Sequence, residues 1–370
     1  MNLLRCSEGF GESGDRTLQI TELKIDNYER AASCVDGEYH GFVAIHSTAL
    51  GPAIGGTRFW HYENDEAAIK DLLRLARGMT YKNALAGIPF GGGKSIIKRH
   101  DNAIDREQLF RAHGRFVETF GGRYITAEDV GTSPADMEFV RMETDHVAGL
   151  LGKSGDPSPV TARGVFRALQ AAARHRWGTD DVAGRTVALQ GCGHVGYYLA
   201  SNLHQAGARL IASDVDAEKV ERVVKEFDAV AVAPEEIYGS AADIFSPCAL
   251  GGIINDQSIP QLKVEVIAGG ANNQLLEMRH GDDLHRLGLL YVPDYAANAG
   301  GVINGCRELL GWEAPQSAAK VDEIYDTLLD IFRVAEREDI PTYKAADRLA
   351  ERRLVGTHAS GVPLLTLTFI

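Results

Sequence analysis

Cysteine is scarce in this 370-residue chain, and its five copies (Cys6, Cys34, Cys192, Cys248, Cys306) are odd in number and widely scattered. No disulfide framework is indicated, and a reducing cytoplasm is the simplest home. No C-x-x-C, H-E-x-x-H or Cys/His cluster occurs, so no metal site is expected. No apolar run approaches the roughly 18 residues of a membrane span, and no early segment has the charged, apolar, small-residue order of a secretion signal. A membrane partner is therefore not expected. Basic residues are in deficit: 38 Lys and Arg face 51 Asp and Glu, a net charge of −13. Nonspecific nucleic-acid binding rests on clustered Lys and Arg, so it is disfavoured. What is present, 45% hydrophobic and 24% charged residues, is ordinary for a soluble globular enzyme. At this length a single core stops growing, so two domains are expected.

Residues 184–214 read as one physical unit. An apolar run from Thr186 to Gln190 meets Gly191-x-Gly193-His194-Val195-Gly196. A helical stretch follows, Gly207 stops it, and a second apolar run ends on Asp214. A dinucleotide site needs this order. Gly191 permits a tight turn, Gly193 lets backbone approach a pyrophosphate at the helix N-terminus, and Gly196 lets helix and strand pack closely. Asp214 can accept hydrogen bonds from a ribose diol. Val215 and Asp216 follow it, with no Arg or Lys to receive a 2′-phosphate, so NAD is expected rather than NADP.

Before this unit, HGFVAIHST (40–48) reads as a strand, residues 65–82 as a helix with Ile69, Leu72, Leu73, Ala76 and Met79 at helical spacing, and Ser95–Lys98 as a strand. A short strand near Leu18–Ile25, a helix near Arg106–Phe120 and a strand ending near Ala127 are also expected. The segment 153–161, KSGDPSPVT, reads as a linker and hinge. Beyond Asp214, ADIFSPCAL, EVIAGGANN and GLLYVPDYAANAGG each read as a strand running into a small-residue turn, as in a parallel doubly wound sheet. Two amphipathic helices follow, and the apolar tail GVPLLTLTFI is a candidate packing or oligomer contact.

Gly91-Gly92-Gly93-Lys94-Ser95 invites a nucleotide-triphosphate reading, which the spacing refuses. Counting five residues back from Gly93 reaches Ile88, where a P-loop needs glycine, and Pro89 removes an N–H that should face phosphate. A different use fits better. Residues without Cβ, read as a loop, let something flat approach the backbone beside Lys94. Lys82 lies twelve residues earlier, at the end of the first helix. Two ammonium groups converging in a cleft disfavour each other's charge, and burial adds to this, so one lysine can relay protons near neutral pH. Asp129, at a strand end, is a candidate carboxylate partner.

GPAIGGTRFW, ARGMTYKNALAGIPFGGGKS, GRYITAEDVGTSPADM, PSPVTARGVF, SPCALGGIIND, AGGANNQL and PDYAANAGGVIN together resemble the glutamate/leucine/phenylalanine/valine dehydrogenase family, nearest its leucine dehydrogenase branch, over residues 38–355. The resemblance implies reversible oxidative deamination: L-amino acid, NAD and water give 2-oxo acid, ammonia and NADH. It assigns Lys82 to the substrate carboxylate beside Gly55, Gly56 and Met79, Lys94 to water activation, and Asp129 to proton exchange with the amino group. Thr161 and Asn272 fall to the nicotinamide end of the cofactor, and Asn273 to the substrate. Ile54, Ala127, Val302 and Gly305 match the side-chain pocket. Hydride transfer from Cα needs these roles in any case: a carboxylate anchor, a base for the ammonium proton and a water activator.

Ile54 cannot satisfy a distal carboxylate, so glutamate is disfavoured as substrate. Gly305 stands where leucine-type relatives carry a branched residue, which leaves room for extra substrate atoms. Branched-chain aliphatic substrates are favoured, with phenylalanine or tryptophan the alternative. A non-catalytic NAD-binding regulator is a third reading, disfavoured because Lys82, Lys94 and Asp129 are intact. The expected architecture is α/β in two domains with a cleft between. Residues 1–152 form a substrate and oligomerisation domain, to which a C-terminal helix at 341–370 returns, and residues 153–340 form a Rossmann-type doubly wound NAD domain. The partners expected are the amino acid, its 2-oxo acid, ammonia and further copies of the chain.

Overall fold

The computed structural model describes residues 18–99, 105–152 and 155–360, with side chains to 355. The tail 361–370 and the linker residues 153–154 lie outside the described residues. The chain divides into two compact units, residues up to Gly155 with 308–311 and 352 onward, and residues 156–307 with 312–351.

In the first unit the order is β1 (Gln19–Glu22), β2 (Arg30–Asp36), β3 (Tyr39–Ser47), β4 (Ala53–Trp60), α1 (Asp65–Ala86), β5 (Gly91–Lys98), α2 (Arg106–Glu118), β6 (Tyr124–Glu128) and α3 (Pro134–Arg141). The sheet order is β1-β2-β3-β5-β4-β6. The first four strands in that order pair antiparallel, while β4 runs parallel to both β5 and β6. Alternate residues of one strand serve two cores, as the pleat requires. Ala31, Phe42, Ala44 and Ile96 pack under Ile69, Leu72 and Ala76 of α1. Ala32, Val43, Ile45 and Ile97 pack under Leu109, Phe110 and Phe116 of α2 and Met137 and Val140 of α3.

Local sequence explains α1. The Asn64 side chain accepts from the Ala67 N–H, Asp65 and Glu66 favour the positive end of the helix, and Gly87 ends it at φ 63°. Its last turns press on β5. A Cβ on Gly92 would fall 2.0 Å from the Thr80 nitrogen, and Asn83 Nδ2 donates to the Gly91 carbonyl at 2.6 Å. The three glycines therefore lie inside a strand rather than in the loop expected from sequence. Each stands where a Cβ would collide: at Gly91 with the Ser47 carbonyl oxygen, at Gly92 with the α1 backbone at Thr80, and at Gly93 with the Tyr124 ring and the Ala44 carbonyl oxygen.

In the second unit come α4 (Ser158–Trp177), β7 (Thr186–Gln190), α5 (His194–Gln205), β8 (Arg209–Ser213), α6 (Ala217–Phe227), β9 (Val230–Ala231), β10 (Ile244–Pro247), β11 (Val266–Ile267), α7 (Arg279–Arg286), β12 (Leu290–Tyr291), α8 (Asp294–Ala297), α9 (Gly300–Leu310), α10 (Ala314–Asp322), α11 (Ile324–Glu338) and α12 (Thr342–Ser360). Ser158 to Thr161, expected within the linker, form the first turn of α4. The sheet order β12-β11-β10-β7-β8-β9 is parallel throughout. That order reverses beside β7, the switch point at which doubly wound sheets bind dinucleotides. Helix α9 ends within residues 308–311, and α12 continues past Arg352, into the first unit. There the Arg353 guanidinium donates to the carbonyls of Ala84 and Leu85 at the end of α1.

Candidate active site

Strands β4, β5 and β6 hold the first-unit candidates Ile54, Gly55, Gly56, Lys94 and Ala127, with Asp129 directly after β6. Lys94 Nζ lies 3.1 Å from Asp129 Oδ2, and the lysine side chain is only 6% exposed. Two glycines of β4 make this approach possible. A Cβ on Gly55 would fall 1.9 Å from the Gly93 carbonyl oxygen, and one on Gly56 would fall 2.8 Å from Asp129 Cβ. Ile54 pairs in register with Gly92, and Gly56 with Ala127. Lys82 and half-buried Met79 flank Thr80 on the last turns of α1, the segment that rests on Gly92. The first-unit residues singled out from sequence thus occupy contiguous elements.

Burial pulls the Lys94 ammonium below its ordinary pKa; Asp129 opposes this, and the Arg58 cation adds to it. Arg58 is thus a cation acting on Lys94 that the sequence-based expectation of two converging lysines did not include. Burial works against the Asp129 carboxylate, but Lys94 and Arg58 outweigh it and hold its pKa below the usual range. Both cations bind the same oxygen: Arg58 Nε reaches Asp129 Oδ2 at 3.0 Å. Arg58 was not among the residues expected at the site, although it stands in GPAIGGTRFW as a charge between the buried Thr57 and Phe59. Beneath the site lies a wholly buried polar cluster, also unforeseen. Thr57 Oγ1 contacts Ser95 Oγ at 2.8 Å and His113 Nε2 at 2.9 Å, and the Tyr124 hydroxyl donates to the Gly55 carbonyl at 2.7 Å.

The second unit builds a dinucleotide cradle. Gly191 has φ 97° and sits against the Ala249 nitrogen; a Cβ on Gly196 would lie 1.9 Å from the Gly191 carbonyl oxygen. Gly193 caps α5, and a Cβ there would meet nothing within 4 Å. The backbone at this helix N-terminus is open, as a phosphate requires. Asp214 accepts from the N–H groups of Cys192 at 2.7 Å and Asp216 at 2.9 Å, which fixes the carboxylate beside the loop. The Val195 side chain lies where a Cβ on Gly270 would fall, and the loop after β11 runs on from Gly270 to Asn272 and Asn273. Asn298 Nδ2 donates to Asn272 Oδ1 at 2.7 Å. Thr161 Oγ1 lies where a Gly301 side chain would be, at the start of α9, which also carries Val302 and Gly305. A Cβ on Gly305 would meet nothing within 4 Å.

Away from these clusters, Asp256, His280 and Asp283 bring possible metal ligands together. Arg279 already binds Asp256. His280 Nδ1 lies within hydrogen-bond distance of both the Glu277 N–H, at 3.0 Å, and the Glu277 carbonyl, at 3.1 Å.

Residues 31–146 match the family model for the Glu/Leu/Phe/Val dehydrogenase dimerisation domain. Residues 152–217 and 213–359 match that for Glutamate/Leucine/Phenylalanine/Valine dehydrogenase. The chain belongs to this family, and it is an amino-acid dehydrogenase that works with a nicotinamide cofactor. It is 52% identical to leucine dehydrogenase of Geobacillus stearothermophilus over 348 residues, 93% of this chain and 95% of that one. With L-tryptophan dehydrogenase of Nostoc punctiforme it shares 49% identity over 325 residues, 87% and 92% of the two chains. The crystal structure of L-tryptophan dehydrogenase from that organism superposes with a TM-score of 0.83, covering 90% of this chain and 98% of that one. Among the described residues no helix is long and apolar enough to cross a membrane.

Proposed function

We propose that the protein catalyses NAD-dependent reversible oxidative deamination of an apolar L-amino acid, with leucine, valine or isoleucine favoured. The observation that carries this is Lys94, enclosed on all sides and 3.1 Å from Asp129 Oδ2. An amine so placed loses its proton more readily than a surface lysine, and as a neutral base it takes a proton from the water that attacks the imine. Asp129 Oδ2 is taken up by two cations, and among the described residues no hydrogen bond reaches Oδ1. Oδ1 exchanges the proton of the substrate amino group. Lys82 pairs with the substrate carboxylate beside Gly55, Gly56 and Met79. The first unit is the substrate and oligomerisation domain, and the assembly is a homo-oligomer in the cytoplasm.

NAD is held by the second unit. The open backbone at Gly193 receives the pyrophosphate with Gly191, His194, Val195 and Gly196, and Asp214 takes the adenosine ribose. Thr161, Asn272 and Asn273 serve the nicotinamide and substrate end. Lys219, which feels the Asp214 charge, is already paired with Asp216 at 3.0 Å, so a 2′-phosphate would meet an excess of negative charge. When bound, the nicotinamide accepts hydride from the substrate Cα.

Ile54, 4% exposed, offers no partner to a distal charge, which favours apolar side chains. The empty space at Gly305 supports a second reading, the same chemistry on phenylalanine or tryptophan. The test is NADH production from leucine, valine, isoleucine, phenylalanine and tryptophan at alkaline pH. Silence across the panel, with NAD still bound, would leave a non-catalytic regulator instead.

A further inference from the structure

We propose that Asp71 is a positioning residue of the reaction centre, which through Arg58 orients the carboxylate of Asp129 and balances the charge around Lys94. The proposal rests on the assignment of Lys94 and Asp129 above. The geometry is a chain of four bonds across four segments. The Tyr62 hydroxyl donates to Asp71 Oδ2 at 2.7 Å, and Arg58 Nη1 meets the same oxygen at 2.9 Å. Arg58 Nε then meets Asp129 Oδ2 at 3.0 Å, and Lys94 Nζ reaches that oxygen at 3.1 Å. Arg74 holds the other Asp71 oxygen at 2.8 Å.

A guanidinium is a rigid planar fork, so anchoring one edge fixes where the other edge points. Asp71 anchors the Nη1 edge, and the Nε edge can then present Asp129 in one orientation. Charge follows the same chain. Arg58 and Lys94 are two cations set against Asp71 and Asp129, two anions, all less than a quarter exposed. Burial works against the Asp71 charge, but Arg74, Tyr62 and Arg58 outweigh it, so the carboxylate stays ionised. Tyr124, buried and kept neutral, also senses Asp129. Without the Asp71 charge, two cations would share one carboxylate. The permanently charged arginine would then drive the proton from Lys94.

The experiment measures pH profiles of kcat and KM on the full chain with NAD and the best substrate of the panel, for wild type, Asp71→Asn, Arg58→Lys and Lys94→Ala. Asp71→Asn is expected to move the rising limb of the profile to lower pH by about half a unit or more. Arg58→Lys keeps the charge and loses the fork, so kcat falls roughly tenfold while the limb stays in place. An unmoved limb in Asp71→Asn, or wild-type kcat in Arg58→Lys, overturns the proposal; if one variant does not fold, the other decides. An active Lys94→Ala would instead overturn the underlying assignment, which separates the two failures.

Discussion

The hydroxyl of Tyr124 donates to the backbone carbonyl of Gly55 across 2.7 Å, with the tyrosine wholly enclosed. The same hydroxyl reaches Ser95 Oγ at 3.1 Å, so one phenol ties β6 to β4 and β5 directly beneath the lysine–aspartate pair. Tyr124→Phe leaves that carbonyl without its donor in a dry site. We expect a loss of about 1–3 kcal/mol in unfolding free energy, read from denaturant titration with an unchanged slope. A variant as stable as wild type would show that this carbonyl finds another partner.

His113 makes stability depend on pH. Burial pulls its pKa down to about 3, so the folded protein keeps it neutral between Tyr39 and Thr57, whereas the unfolded chain protonates it near 6.5. Between these values the unfolded state binds more protons, and stability falls as pH drops from about 6.5 towards 3. At pH 5 this histidine alone costs about 2 kcal/mol relative to pH 7.5 or above. His113→Asn should show a smaller loss over that interval. Equal slopes of unfolding free energy against pH in the two proteins would contradict it.

Two glycines should respond in opposite directions to alanine. Gly92→Ala drives a methyl into the backbone of Thr80, 2.0 Å away, and should cost several kcal/mol or prevent folding. Gly78, inside α1, has nothing within 4 Å of its missing Cβ, so Gly78→Ala should raise stability by about 0.5–1 kcal/mol. Thermal melts of the pair check both signs.

Asp214→Ala should weaken NAD binding by at least tenfold and leave the substrate KM at saturating NAD nearly unchanged. The variant removes the carboxylate held by the Cys192 and Asp216 N–H groups. Titration calorimetry with NAD, beside steady-state kinetics, distinguishes this from a loss shared by both ligands.

Gly305→Val should narrow the side-chain space. Its Cβ enters unoccupied volume, and valine is better tolerated than glycine within a helix. Activity on phenylalanine and tryptophan should fall relative to leucine, by about 1–3 kcal/mol in the ratio of kcat/KM values. An unaltered ratio would remove position 305 from the specificity pocket.

Elements with local signals stood plainly in the sequence. The helix over 65–82 was legible from its apolar spacing, and it runs on to Ala86 because only Gly87 provides a left-handed stop. The strand expected at 40–48 appears as Tyr39–Ser47, and the short one expected near Leu18–Ile25 as Gln19–Glu22. Strand β4 went unnoticed, since its Gly55-Gly56 pair breaks the apolar alternation that marks a strand. Gly91 to Gly93 were misread as a loop for a related reason: glycine signals flexibility unless a neighbouring backbone is known to occupy the space of its side chain. Lys94 and Asp129 were singled out from their motifs, whereas Arg58 stood within a quoted motif without being given a role and Asp71 lay outside every quoted motif.

Spacing along the chain was enough to specify the strand–turn–helix unit, because its turn, its helix N-terminus and Asp214 all fall within Gly191 to Asp214, and neighbours in sequence are there neighbours in space. The reaction centre is of another kind. Arg58 meets Asp129 from 71 positions away, and Tyr124 meets Gly55 from 69. Those meetings exist because β4 lies between β5 and β6, an order that follows from how the whole sheet buries its two faces and that no stretch of residues encodes alone.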